Sequence, residues 1–337
     1  LSVDDTDALY PITIDPIVST PDWSAVGEKY GAALGFVVAT AGDVNGDGYS
    51  DIVVGSPSYT ETGFWITGKA WVYLGSATGM EDTPVWEDLG EGDEAEFGSA
   101  VACAGDVNGD GYDDILIGSP GWEDDTDPQG RAYIYFGSAS GPSADPDWDD
   151  NDGWATSATF GYAVSTAGDV NGDGYDDILI GDPFYHYGRV TVWFGSASGP
   201  GYFPDWTSTG FSMHYFRLGY QVSTAGDINA DGYDDIIIGA PLYEAGGHEQ
   251  GAIKVWYGSA TGLADDEDAV RTVVSLMLER AGFETITAAD GQQAVELFSQ
   301  HSAEISCVLL DLTMPVLDGV ETLRALRETA ASVPVIL

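Results

Sequence analysis

Four short stretches of this chain concentrate oxygen-bearing side chains at a fixed spacing. In the first, Asp43, Asn45, Asp47 and Asp51 stand at positions 1, 3, 5 and 9, with Gly48 at position 6 and Tyr49 at position 7. The set recurs as Asp106, Asn108, Asp110, Tyr112 and Asp114, then as Asp169, Asn171, Asp173, Tyr175 and Asp177, then as Asp227, Asn229, Asp231, Tyr233 and Asp235. A hard cation such as Ca2+ takes about six to eight oxygens at about 2.3–2.6 Å. Three carboxylates, an amide oxygen and the backbone carbonyl of the tyrosine can supply them, and the glycine permits the sharp turn. An EF-hand would close such a loop with Glu at position 12, where this chain has Val54, Ile117, Ile180 and Ile238. Helix–loop–helix calcium sensing is therefore excluded.

Ordinary Asp-Gly turns need no metal, so the two readings have to be weighed by charge. Two carboxylates about 4 Å apart repel by about 4 kcal/mol at an effective dielectric near 20. Three such pairs per loop approach ~10 kcal/mol, comparable with the whole stability of a domain at about 5–15 kcal/mol. The expectation is about four structural Ca2+ ions, each pinning a hairpin. No catalytic residue is expected. His186, His214, His248 and His301 show no ligand spacing, and the Gly-Ser-Ala-Ser-Gly phrase has Ala139 or Ala197 where a nucleophile elbow needs serine.

The loops belong to a repeat. The first Asp of each is separated from the next by 63, 63 and 58 residues. A Gly-Ser-Pro, Gly-Asp-Pro or Gly-Ala-Pro step follows each loop, then a strand-like run such as Ala70-Trp71-Val72-Tyr73. A tryptophan stretch (Trp23, Trp86, Trp148, Trp206) lies upstream of each loop and completes a set of four short strands. Short β-branched and aromatic runs between Gly, Asp and Pro clusters predict antiparallel strands, and four in about 60 residues is the size of a propeller blade. With 44% hydrophobic residues the chain can build a core despite a formal charge of −46. That charge repels nucleic acid and anionic membrane surfaces. No run of 18 apolar residues exists, so no membrane span is expected. Cys103 and Cys307 are expected to be small buried residues rather than a disulfide.

Each unit resembles an FG-GAP repeat, the blade of the integrin α-subunit propeller, over about residues 14–263. The dipeptide that names the family stands at Phe97-Gly98 and Phe160-Gly161, with Gly35-Phe36 and Leu218-Gly219 as variants, and Gly239-Ala240-Pro241 carries the second half of the name. The resemblance implies a mainly β fold whose four blades form part of a larger propeller, with the calcium loops on one rim. The opposite rim would carry the connections 58–67, 121–129, 184–187 and 242–250, with Tyr59, Phe64, Trp65, Trp122, Phe184, Tyr185, Tyr187 and Tyr243. Packing at the blade edges accounts for these aromatics; a protein or glycan ligand on that rim is the functional expectation. A non-enzymatic, extracellular or cell-surface binding and adhesion module follows from the resemblance.

The last quarter has a different texture. Helical spacing over 269–281, a strand over 305–312 and a helix over 320–330 predict a parallel α/β arrangement. Asp265-Asp266, Leu309-Leu310-Asp311 and Met314-Pro315 resemble a response-regulator receiver domain of flavodoxin-like fold. The resemblance implies Asp311 as phosphoacceptor, with Asp265, Asp266 and the Thr313 carbonyl holding Mg2+. The division expected is a propeller part over 1–263 and an incomplete receiver fragment over 264–337, because the stretch that should supply the central strand is already the strand at 252–258. Phosphorelay at Asp311, a cytoplasmic function, is the alternative.

Overall fold

The computed structural model describes residues 21–61, 66–92, 94–124, 127–151, 159–210, 217–245, 248–263, 285–288, 291–301, 305–310, 319–329 and 333–336. Strands β1 (Val37–Gly42), β2 (Asp51–Ser56), β3 (Lys69–Tyr73) and β4 (Trp86–Leu89) form a four-stranded antiparallel sheet in the order β1-β2-β3-β4. The second sheet repeats it with β5 (Ala100–Gly105), β6 (Asp114–Ser119), β9 (Arg131–Tyr135) and β10 (Trp148–Asp150), the small hairpin β7 (Glu123–Asp124) and β8 (Asp127–Pro128) sitting in its second connection. The third is β11 (Ala163–Gly168), β12 (Asp177–Asp182), β13 (Arg189–Trp193) and β14 (Trp206–Thr209). Three strands, β15 (Gln221–Gly226), β16 (Asp235–Ala240) and β19 (Ala252–Trp256), make the fourth, and β17 (Glu244–Ala245) pairs with β18 (His248–Glu249) in its connection.

The tryptophan strand belongs to the loop that precedes it. Trp86 pairs with Val72 of β3, so it closes the first sheet, and Trp148 and Trp206 close the second and third. Trp23 therefore stands ahead of the first sheet, where it meets Tyr73 edge-on at 5.0 Å. Trp86 meets Tyr135 of the next sheet in the same way at 4.7 Å.

Strand alternation builds the core in layers. Val53, Ala70 and Val72 face a cluster shared with Val101, Ile115 and Ile117 of the second sheet. Val54, Trp71 and Tyr73, on the opposite face, pack with Ala32, Tyr59, Trp23 and Leu34. Leu116, Ala132 and Ile134 of the second sheet turn the other way and meet Ile178, Ile180 and Trp193 of the third. The second sheet thus gives one face to the first and the other to the third, the stacking of propeller blades, in which a blade has no stable core by itself.

Beyond the sheets, α1 (Gly291–His301) and α2 (Gly319–Thr329) accompany β20 (Val308–Leu309) and β21 (Val335–Ile336), which pair in parallel. This is the expected α/β texture. By compactness the chain divides into two units, residues 1–169, 174–224 and 237–254 in one and 170–173, 225–236 and 255–337 in the other. Cys103 and Cys307 were expected to be buried, but Cys103 is only half-buried and Cys307 is exposed.

Candidate metal centres

Each acidic loop connects the first two strands of a sheet. In the first, Asp43 Oδ1 accepts the N–H of Asp47 (3.0 Å) and Oδ2 that of Gly48 (2.8 Å). Asp47 Oδ1 accepts the Tyr49 N–H (3.0 Å) and Oδ2 the Asn45 side-chain amide (3.1 Å), while Asn45 Oδ1 accepts the Asp47 N–H. These are the hydrogen bonds of nested Asx turns. The same bonds recur around Asp106 and Asp110, and around Asp227 and Asp231. In the third loop Gly174 N–H donates to Asp169 and Asp173 N–H to Asn171.

The position-9 aspartates are fully buried. Asp51 Oδ2 accepts from Val44 N–H (3.0 Å) and Oδ1 from Gly75 N–H (2.8 Å), tying the loop to the end of the third strand. Asp114 does this with Val107 and Gly137, and Asp235 with Ile228 and Gly258. Burial pushes the Asp114 carboxyl up to about 8; the two N–H donors oppose the shift and the charges of Asp110 and Asp106 add to it. Asp51 and Asp235 are raised for the same reasons.

Among the described residues no three His, Cys, Asp or Glu side chains are gathered tightly enough to enclose a metal ion. The donor set nevertheless fits a hard cation. It is all oxygen, and a carboxylate has about four lone-pair sites, of which Asp43, Asp47 and Asp51 each use two on N–H groups. Asp43, Asn45, Asp47 and Asp51, with the Tyr49 carbonyl, would hold the ion in the first loop, and the equivalent residues in the other three.

Position 8 is a functional residue that a ligand count overlooks. Asp113 Oδ2 accepts the Asp43 N–H of the preceding loop (2.6 Å), and Asp176 Oδ2 accepts the Asp106 N–H (2.8 Å). The backbone adds Asp113 N–H to Asp43 O and Ser138 N–H to Val44 O, repeated one sheet on by Asp176 and Ser196. Position 7 also reaches backward: the Tyr112, Tyr175 and Tyr233 rings lie over Gly46, Gly109 and Gly172. The signal was present in the sequence, since position 8 is Asp in three repeats and Ser50 in the first.

A family model for the FG-GAP repeat matches residues 34–73, 97–135, 160–193 and 218–256, one match for each sheet. The four sheets are FG-GAP repeats. The frame of the first repeat needs correcting: Gly35 N–H donates to Gly55 O as Gly98 N–H does to Gly118 O, so the dipeptide is Leu34-Gly35 and not Gly35-Phe36. The response regulator receiver domain model matches residues 262–337. Asp265, Asp266, Asp311 and Thr313 lie outside the described residues, as do the 269–281 helix and, on the rim, Phe64 and Trp65.

Integrin alpha chains resemble the FG-GAP part. Integrin alpha-4 of Xenopus laevis is 29% identical over 221 residues, covering 64% of this chain and 20% of the integrin. Integrin alpha-6 of Gallus gallus is 36% identical over 156 residues, covering 46% of this chain and 14% of the integrin. Integrin alpha-PS2 of Drosophila melanogaster is 33% identical over 170 residues, covering 47% and 12%. The chain thus spans a fifth or less of these relatives. An exotype rhamnogalacturonan lyase structure aligns at 13% identity with a TM-score of 0.36, covering 59% of this chain and 38% of the lyase; at that level it bears on neither fold nor activity.

In the second connections of the FG-GAP sheets, four of the described aromatics are engaged by cations. Lys29 and Lys69 lie over Tyr59 (4.3 and 5.1 Å), Arg131 over Trp122 (4.7 Å), Arg189 over Tyr185 (4.2 Å) and Arg217 over Phe184 (4.5 Å). Carboxylates neutralise several of these cations: Glu87 pairs with Lys69, Glu91 with Arg131 and Asp182 with Arg189. Among the described residues no helix is long and apolar enough to cross a membrane.

Proposed function

We propose that the FG-GAP part is a calcium-stabilised, non-enzymatic binding and adhesion module working outside the cell, on the side where calcium is abundant. The observation that carries this reading is the fully buried Asp114, which faces Asp106 and Asp110 with its carboxyl driven up to about 8. A group so placed is poorly accommodated as an anion unless a cation shares the loop. Four ions, one per loop, relieve that repulsion and lock each hairpin to the next through positions 7 and 8. Each site adds about 2.7 kcal/mol when free calcium exceeds its Kd about 100-fold. The likeness to integrin alpha chains supports the extracellular setting and a protein or glycan ligand on the rim opposite the loops. There Phe184 is the most open of the described aromatics, at 40% exposure. Thermal unfolding with 2 mM EDTA and with millimolar calcium tests the metal: the calcium sample is expected to melt several degrees higher, and identical melting would refute it.

A second reading rests on the receiver-domain match over 262–337. In it, the side chains of Asp265 and Asp266 and the carbonyl of Thr313 hold Mg2+, Asp311 accepts a phosphoryl group, and the site of action is cytoplasmic. The two readings concern different segments and are separated by independent assays.

A further inference from the structure

The chain has five asparagines, Asn45, Asn108, Asn151, Asn171 and Asn229, and four of them stand at position 3 of the acidic loops. Glycine follows three of these, as Asn45-Gly46, Asn108-Gly109 and Asn171-Gly172, and alanine follows the fourth, as Asn229-Ala230. The side-chain amide of an asparagine can close a five-membered ring on the backbone nitrogen of the residue after it. Glycine leaves that nitrogen unhindered, whereas a Cβ crowds the approach and narrows the backbone conformations that allow it.

The folded loop prepares the amide for this attack. In the first loop the Asp47 N–H donates to Asn45 Oδ1 (3.0 Å), and Asn45 Nδ2 donates to Asp47 Oδ2 (3.1 Å). The same two bonds join Asp110 with Asn108 (2.9 and 3.0 Å) and Asp173 with Asn171 (2.8 and 3.0 Å). The backbone N–H polarises the amide carbonyl and is already aimed at the oxygen that turns anionic when Cγ is attacked. The carboxylate fixes the orientation of Nδ2, the leaving group. The Gly46 nitrogen is only loosely committed, at 3.4 Å from Asp43 O, beyond the usual hydrogen-bond length. The three asparagines are half-buried and the glycines after them exposed, so water reaches the site.

We propose that Asn45, Asn108 and Asn171 are self-modifying sites, at which the loop converts asparagine to aspartate or its β-linked isomer by deamidation. In the first loop the Gly46 nitrogen attacks Asn45 Cγ and a new N–Cγ bond forms. The proton of that N–H passes to Nδ2, the Cγ–Nδ2 bond breaks, and ammonia leaves a succinimide ring. Water then opens either carbonyl of the ring. Water is the single co-reactant, and nothing is oxidised or reduced. Each event adds a fourth carboxylate to a loop that holds three, and the β-linked form also lengthens the backbone by one atom. The reaction goes beyond the cation reading and does not rest on it. The fourth loop is the internal control. It keeps both hydrogen bonds (2.9 and 2.8 Å) but presents the nitrogen of Ala230, held at φ 59°. Asn151 is followed by Asp152 and stands outside the loops.

The test ages the full chain at physiological temperature and neutral pH, and follows intact mass and peptide maps against an unaged control. Gains of about 1 Da each are expected at Asn45, Asn108 and Asn171, about tenfold faster than any gain at Asn151 or Asn229. Asn108→Gln should remove one of the three. Ala230→Gly is expected to speed the gain at Asn229 about tenfold in a chain that melts no lower than its parent. That variant separates the local chemistry from loosening of the fold. An aged chain of unchanged mass would overturn the assignment, as would gains spread evenly over the five asparagines. So would an Ala230→Gly chain in which Asn229 reacts no faster than before.

Discussion

Asp114 sits fully buried beneath a loop that already holds two other carboxylates. Its pH behaviour follows from the raised pKa. In the unfolded chain an Asp titrates near 4, whereas here it titrates at about 8. Between these values the folded state holds a proton that the unfolded state has lost, so stability falls as pH rises through that window. The calcium-free protein is expected to melt at progressively lower temperature from pH 5 to pH 8, losing on the order of 1 kcal/mol per pH unit for such a site. Excess calcium should reverse the slope, because protons then compete with the ion for the same oxygens. A melting series in EDTA that is flat or rises with pH would contradict the burial argument. The candidate ligands were legible in the sequence because oxygen donors at positions 1, 3, 5 and 9 recur four times. The clamp from position 9 to Gly75, Gly137 and Gly258 was not legible, because its partners lie 23 or 24 residues away and are backbone N–H groups.

At the scale of the element, the loops and strands act as one stitched row. A methyl group on Gly109 would reach 2.5 Å from the Tyr175 ring, at φ 72°. Gly109→Ala is therefore expected to destabilise by about 2–3 kcal/mol, combining backbone strain with displacement of the ring. Ala230→Gly should do the opposite and stabilise by about 1 kcal/mol, since Ala230 already bears a left-handed conformation. Urea unfolding of both variants checks the pair; equal small effects would mean that the tyrosine–glycine contact does not join neighbouring sheets. Strand existence was readable from runs such as Ile115-Leu116-Ile117, whose alternate residues face successive cores. Strand ownership was not. Trp86 precedes the second loop in sequence yet pairs with β3, and only the register of the sheet decides that. The Leu34-Gly35 frame was hidden by the adjacent Phe36, which stands where Ser99 stands in the second repeat.

For the whole molecule, four FG-GAP sheets and a receiver-type segment share one polypeptide. The fold class was legible because the repeat imposes four equivalent strand sets, and because the texture changes abruptly after Leu263. The rim was less so. Of the aromatics along it, Tyr59, Trp122, Tyr185 and Phe184 take part in cation stacks, and two of the cations, Lys29 over Tyr59 and Arg217 over Phe184, come from a different stretch of chain. The receiver reading has its own test. Incubation with acetyl phosphate and Mg2+ followed by intact mass is expected to add one labile phosphoryl group if it holds, and none in Asp311→Asn. No mass gain in the unsubstituted chain would remove phosphorelay from this protein.

The claim at the centre of the account is that the acidic loops are cation sites. Isothermal titration of calcium into the chelator-stripped full chain addresses it directly. Saturation near four ions per chain is predicted, falling to about three in Asp106→Asn, whose side chain keeps its size and loses its charge. No heat and no retained calcium at millimolar concentration, in a chain still folded by circular dichroism, would contradict it.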